Sequence, residues 1–158
     1  MALEIERKFL VRNDSWRYGA TGTDYRQGYL TCDPERTVRV RIAGERAFLT
    51  IKGKTTGMAR SEFEYAIPPA EAAELLDQLC LRPLIEKTRY LVGHGGKTWE
   101  VDEFRGDNRG LVLAEIELDF PDEEIELPPW IAREVTADPR YFNSSLSRNP
   151  YKNWQSKT

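Results

Sequence analysis

Pairs of like charge with one residue between them recur along this sequence, and each pair is of a single sign. Glu4 and Glu6, Glu62 and Glu64, Glu100 and Asp102, and Glu115 and Glu117 are acidic, whereas Arg39 and Arg41, Lys52 and Lys54, and Lys87 and Arg89 are basic. Clustered Arg and Lys address phosphate oxygens, the guanidinium as a bidentate fork and the ammonium as a point charge. Clustered carboxylates are hard oxygen ligands suited to Mg²⁺ or Mn²⁺. Brought into one cavity, the two sets describe a polyphosphate carrying a metal ion. Positioning and electrostatics are most of what phosphoryl transfer asks of a protein.

Spacing by two places both members of a pair on one face of a β-strand. Glu4, Glu6 and Lys8 then oppose Ile5, Arg7 and Phe9, while Arg39 and Arg41 oppose Val38, Val40 and Ile42. Lys52 and Lys54 oppose Leu49 and Ile51, Glu62 and Glu64 oppose Phe63 and Tyr65, Asp102 opposes Trp99 and Val101, and Glu115 and Glu117 oppose Ile116 and Leu118. In a single strand this alternation is the ordinary mark of a half-buried sheet with a solvated outer face. The set as a whole argues otherwise. Solvated faces mix signs and neutral polar residues, because neighbouring like charges repel. Exposed ion pairs contribute only about 0.2–1 kcal/mol each, whereas a dry core would cost several kcal/mol per ion. A water-filled tunnel whose charges are organised by a ligand or metal reconciles the two.

The elements that would position these residues are short strands, expected near 3–12, 24–32, 36–43, 46–54, 60–67, 86–93, 98–105 and 111–120. Turn residues separate them, as in Asp33-Pro34-Glu35 and Gly106-Asp107-Asn108-Arg109-Gly110. Pro68-Pro69 opens one helix with an apolar stripe of Leu75, Leu76 and Leu79. Short helical turns are expected over 130–134 and 140–147, each after a proline. A mainly β domain over 1–148, either a closed barrel or a sandwich with helices outside, is followed by a polar tail over 149–158.

Composition removes several alternatives. With 23 basic and 26 acidic residues the net charge is −3, so no nucleic-acid surface is indicated by the totals. No apolar run approaches a membrane span, and the first residues lack the apolar core of a signal peptide, so a cytoplasmic location is expected. Cys32 and Cys80 are then reduced packing residues. His94 is the only histidine, which excludes His-based metal sites and Ser-His-Asp triads. Gly93-His94-Gly95-Gly96-Lys97-Thr98 has the ending of a P-loop, but Leu91 stands where the first glycine belongs and strands flank it, so it reads as a hairpin turn.

Glu4-Ile5-Glu6-Arg7-Lys8 resembles the ExExK signature of the CYTH superfamily, the triphosphate tunnel metalloenzymes. The likeness continues in order through Arg26-Gln27-Gly28-Tyr29, Val38-Arg39-Val40-Arg41, Thr50-Ile51-Lys52, Glu62-Phe63-Glu64, Glu86-Lys87-Thr88-Arg89, Glu100-Val101-Asp102, Ala114-Glu115-Ile116-Glu117 and Arg140-Tyr141-Phe142-Asn143. The resemblance implies an eight-stranded antiparallel tunnel and divalent-metal-dependent activity on triphosphates. By position it implies metal carboxylates at Glu4, Glu6, Glu115 and Glu117, with Asp102 and Glu62 as weaker members. It implies phosphate binding by Lys8, Arg39, Arg41, Lys52, Lys87 and Arg89, and a short helix over 140–147 closing one tunnel end, with Tyr29 a contact for it.

The small bacterial members that the sequence resembles are inorganic tripolyphosphatases, and no base- or thiazole-binding signature is present. Hydrolysis of tripolyphosphate to pyrophosphate and phosphate is therefore expected, with Mg²⁺, or Mn²⁺ as the alternative. Glu6 and Glu117 would serve catalysis through the metal, and Lys87 would assist the leaving group or clamp phosphate. Adenylate cyclisation, thiamine or nucleoside triphosphate cleavage, a non-catalytic polyphosphate-binding module and a ligand-free structural sheet stand as rivals. The expected partner is a small anionic triphosphate rather than a membrane or nucleic acid, with a homodimer left open. Crowded carboxylates suggest an alkaline preference, since metal ligation improves as protons leave.

Overall fold

The computed structural model describes residues 2–154. Its strands are β1 (Ala2–Val11), β2 (Thr21–Asp33), β3 (Arg36–Ala43), β4 (Arg46–Gly53), β5 (Ala59–Ile67), β6 (Ile85–His94), β7 (Lys97–Phe104), β8 (Val112–Glu117) and β9 (Ile131–Glu134). Helix α1 (Pro69–Gln78) lies between β5 and β6, and α2 (Asn143–Leu146) follows β9. The strands pair antiparallel in the order β5-β4-β3-β2-β6-β7-β8-β1, and β1 pairs again with β5, closing an eight-stranded barrel. The mainly β, antiparallel tunnel with peripheral helices is the architecture that the sequence leads one to expect.

The apolar core lies largely outside the barrel wall. Outward residues of β1, β7 and β8 (Ile5, Phe9, Trp99, Val101, Ala114, Ile116) pack under Trp16, Leu118 and Trp130. Val40 and Ala47 of β3 and β4 are covered by Ala72 and Leu76 of α1. A third cluster floors one end of the interior: Ile85, Phe104 and Leu113, two residues from Lys87, Asp102 and Glu115 on the same strand faces, meet Tyr141 and Leu146 of the α2 region.

Residues 131–134 form a strand rather than the expected helical turn. β5 covers one edge of β1 only from Ala2 to Ile5, and past the Glu6 N–H, which donates to the Met58 carbonyl, it leaves that edge open. β9 takes that edge, pairing Glu134 with Phe9 and Ile131 with Val11. Two smaller departures have local causes. β4 ends at Gly53, so Lys54 leaves the inward face and pairs with Glu35 at the surface, 3.7 Å away. Helix α1 ends at Gln78, so Leu79 is 62% exposed instead of completing the stripe. In the segment after α2, Trp154 packs edge-on against Tyr141 and the Tyr151 N–H donates to Asn108 Oδ1 at 2.8 Å. Residues 155–158 of the expected tail lie outside the described residues.

Gly28 shows how closely the coat fits the wall. A Cβ there would lie 2.7 Å from Leu84 Cδ2 and 2.8 Å from Cys80 Cβ, so β2 can approach the end of α1 only without a side chain. Gly28→Ala should destabilise the fold by about 1–3 kcal/mol through overpacking, read as a lower midpoint in urea denaturation.

Candidate active site

Around the barrel the inward charges sort into two arcs. β4, β3 and β6 contribute Lys52, Arg39, Arg41, Lys87 and Arg89, and between β3 and β6 lies β2, whose inward residues Tyr25, Gln27 and Tyr29 carry no charge. β7, β8, β1 and β5, also neighbours through the closing pair, contribute Glu100, Asp102, Glu115, Glu117, Glu4, Glu6, Glu62 and Glu64, interrupted by two cations, Lys8 of β1 and Arg60 of β5. A cavity of about 230 Å³ is lined by Glu4, Glu6, Lys8, Arg39, Arg41, Lys52, Glu62, Arg89, Glu115 and Glu117. Phe142, Asn143 and Ser144 border it too, so the start of α2 faces the same space.

The arcs meet at two seams. At one, Lys52 Nζ reaches Glu4 Oε1 at 2.9 Å and Glu62 Oε2 at 3.4 Å. At the other, Arg89 grips Asp102 in bidentate fashion at 2.8 and 2.9 Å and also touches Glu100 at 3.2 Å. Asp102 is fully buried, and its second oxygen also takes Lys87 Nζ at 2.7 Å. Lys87 and Asp102 are therefore not among the cavity-lining residues. Burial alone would raise the Asp102 carboxyl, but Arg89 and Lys87 hold it well below the usual carboxylate range. Its oxygens are committed to these cations, so the side chain positions them instead of facing the cavity.

Polar residues without charge complete the arrangement. Gln27 is fully buried; its Oε1 accepts from Arg41 Nε at 2.7 Å, and its amide donates to Asn143 Oδ1 at 3.3 Å. Lys87 Nζ also donates to Asn143 Oδ1, at 3.1 Å, and Lys8 Nζ donates to the Tyr141 carbonyl at 3.1 Å. Thr50 Oγ1 accepts from Arg39 at 3.2 Å and donates to Glu64 at 3.0 Å. Tyr25 and Gln27 share the alternation that places Tyr29 inward, so that signal was available in the sequence. Asn143 had none, because its role depends on where α2 docks.

Two features ask for an anion. Arg39 Nε is buried with no hydrogen-bond partner, a costly state for a donor unless a ligand supplies the acceptor. Among the described residues Arg41 has Gln27 as its hydrogen-bond acceptor and no carboxylate partner, and burial followed by Arg39 and Arg89 disfavours its charge. The opposite arc asks for a cation. Glu6 lies directly opposite Glu117, and Glu100 opposite Glu115, in cross-strand register, an arrangement that repels. Burial, then Glu115 and Glu4, push the Glu6 carboxyl up to about 8. Among the described residues no three His, Cys, Asp or Glu side chains converge as a ready cage; Lys52 and Lys8 already engage Glu4 and Glu115. The donor chemistry nevertheless fits a hard divalent ion, since all the candidate ligands are carboxylate oxygens.

Fold and site together define a tunnel barrel built to hold a polyanion beside a cation. The chain belongs to the CYTH domain family, whose model matches residues 2–149. It is 52% identical over 155 residues to an inorganic triphosphatase of Acetivibrio thermocellus, covering 98% of this chain and 99% of the relative. It is 36% identical over 150 residues to an inorganic triphosphatase of Nitrosomonas europaea, covering 91% and 96%. A solved inorganic triphosphatase superposes with a TM-score of 0.68 at 34% identity, covering 93% of this chain and 95% of that one.

Because Glu6 keeps its proton to about pH 8 when folded but loses it near 4.5 when unfolded, its contribution to stability falls as pH rises between those values. Metal-free Glu6→Gln should melt with wild type near pH 5 and above it at pH 9, measured by thermal denaturation in chelator. Asp102→Ala, which leaves Lys87 and Arg89 uncompensated, should cost about 3–5 kcal/mol in chemical denaturation.

Proposed function

We propose that this chain is an inorganic triphosphatase, hydrolysing tripolyphosphate to pyrophosphate and phosphate with Mg²⁺, or Mn²⁺ in its place. The observation that carries this reading is the pair of facing arcs around one charge-lined cavity. Cations and carboxylates dominate its lining, which suits a bare phosphate chain better than a nucleobase or thiazole. The names of the two relatives support the same substrate.

Lys8, Arg39, Arg41, Lys52 and Arg89 hold the phosphate oxygens, with Arg39 Nε and the Arg41 fork as donors that lack an anionic partner. Glu4, Glu6, Glu115 and Glu117, with Glu62 beside them, would hold the metal that triphosphatases of this family need. Bound there, the ion offsets phosphate charge and lowers the pKa of a water. Asp102 positions Arg89 and Lys87 instead of ligating. Lys87, expected to assist the leaving group, lies behind the cavity lining with its Nζ held by Asp102 at 2.7 Å and by Asn143 Oδ1 at 3.1 Å, so it would reach the leaving pyrophosphate only where a phosphate oxygen displaces Asn143 Oδ1. The unpaired cysteines Cys32 and Cys80 accord with a reducing compartment, and we place the enzyme in the cytoplasm. No helix among the described residues is long and apolar enough to cross a membrane.

Phosphate release should be measured across tripolyphosphate, ATP, thiamine triphosphate and tetrapolyphosphate, with Mg²⁺, Mn²⁺ or chelator. Tripolyphosphate should be turned over best and only with metal; preference for ATP, a cyclic product or metal-independent turnover would overturn the reading. Lys87→Ala should lower kcat by about 10²–10⁴, while a rise in KM alone would make Lys87 a phosphate clamp only. Activity should climb from pH 6 to 9 as protons leave the crowded carboxylates that would ligate the metal, and a flat profile would contradict that link.

A further inference from the structure

β2 is the one barrel strand with no inward charge, and it stands between the two strands that carry the arginines. Its Tyr25 pairs in register with Ala43 of β3 on one side and Lys87 of β6 on the other. The ring centroid lies 4.8 Å from Arg41 Cζ and 4.9 Å from Arg89 Cζ, with Lys87 Nζ at 5.9 Å. Three cations from two strands therefore share the π-system of one side chain.

We propose that Tyr25 is a positioning residue for the phosphate clamp, holding the Arg41 and Arg89 guanidinium groups in place against their mutual repulsion without neutralising them. The inference rests on the triphosphatase reading of this site. Three kinds of side chain could stand at this position, and they differ in what they do to an incoming phosphate. A carboxylate would hold both arginines more strongly, but it would occupy the N–H donors that phosphate needs. An aliphatic side chain would fill the space and offer the charges nothing. An aromatic face attracts a cation electrostatically and accepts no conventional hydrogen bond, so the guanidinium edges stay available. Arg89 also has Asp102 to fix it. Among the described residues Arg41 has the amide of Gln27 and the ring of Tyr25 and no carboxylate, and so it should depend on Tyr25 most.

The contribution of the ring separates from that of the hydroxyl in Tyr25→Phe and Tyr25→Leu. Binding of tripolyphosphate in chelator is read by calorimetry, and KM and kcat are read with Mg²⁺. Tyr25→Phe should bind and turn over like wild type. Tyr25→Leu should weaken metal-free binding and raise KM by on the order of tenfold, with kcat within about twofold and an unchanged melting temperature. Tyr25→Glu should lose binding by more than the Leu variant does. Wild-type affinity in Tyr25→Leu, an equal loss in Tyr25→Phe, or a Leu variant that does not fold would each overturn the proposal. A wild-type protein that neither binds nor cleaves tripolyphosphate would instead overturn the triphosphatase reading, and this inference with it.

Discussion

Charge repulsion inside the barrel is the constraint from which the rest of the architecture follows. A closed sheet whose inward positions are Glu, Asp, Lys and Arg cannot draw its stability from its own interior. Apolar burial has to be found on the other side of the wall. That is where Trp16, Trp99, Trp130, Leu76 and Val40 lie, under a coat made from α1, the segment around Trp16 and the chain leading into β9. Among the described residues the apolar cluster tied to the interior is the floor formed by Ile85, Phe104 and Leu113 with Tyr141 and Leu146. It closes one end of the tunnel and does not fill it.

Within the tunnel the charges have two standings. At the seam between β6 and β7, Asp102, Arg89 and Lys87 satisfy one another and are removed from water. Such a cluster is seldom a net source of stability, yet it is costly to break. Its value here is geometric, because it makes Arg89 rigid before any ligand arrives. Lys52 is likewise paired with Glu4 and Glu62, and Lys8 with Glu115, but other members of the arcs are left short of partners. Among the described residues Arg39 has a bare Nε, Arg41 has no carboxylate partner, and Glu6 faces Glu117 across the strand pair. Preorganised groups of this kind favour a ligand that supplies the missing charges, since little remains to be ordered when it binds.

Much of this was legible in the sequence because a strand has a period of two. Once Glu4 and Glu6 were placed on one face, Lys8 had to follow, and the same step placed Arg39 with Arg41 and Glu115 with Glu117 on the cavity wall. What the period could not reveal was where each strand ends. Lys54 has the spacing of an inward residue but lies past Gly53, where β4 stops. Nor could it say which strands are neighbours, and that decides whether a carboxylate faces open space or an arginine. Asp102 has the pattern of a ligand and the surroundings of a brace. Residues 131–134 were unreadable for a related reason: their strand exists because β5 stops short along the edge of β1, a fact held in another part of the chain.

The inside-out distribution of apolar burial has a consequence for engineering. Heat resistance and activity make opposite demands on the inner wall, where exchanging a lone charge for a neutral residue would relieve strain and empty the site. On the outer coat the two demands are independent. Selection for thermal tolerance alone would therefore erode the chemistry first, while selection confined to the coat could raise tolerance and leave the reaction untouched.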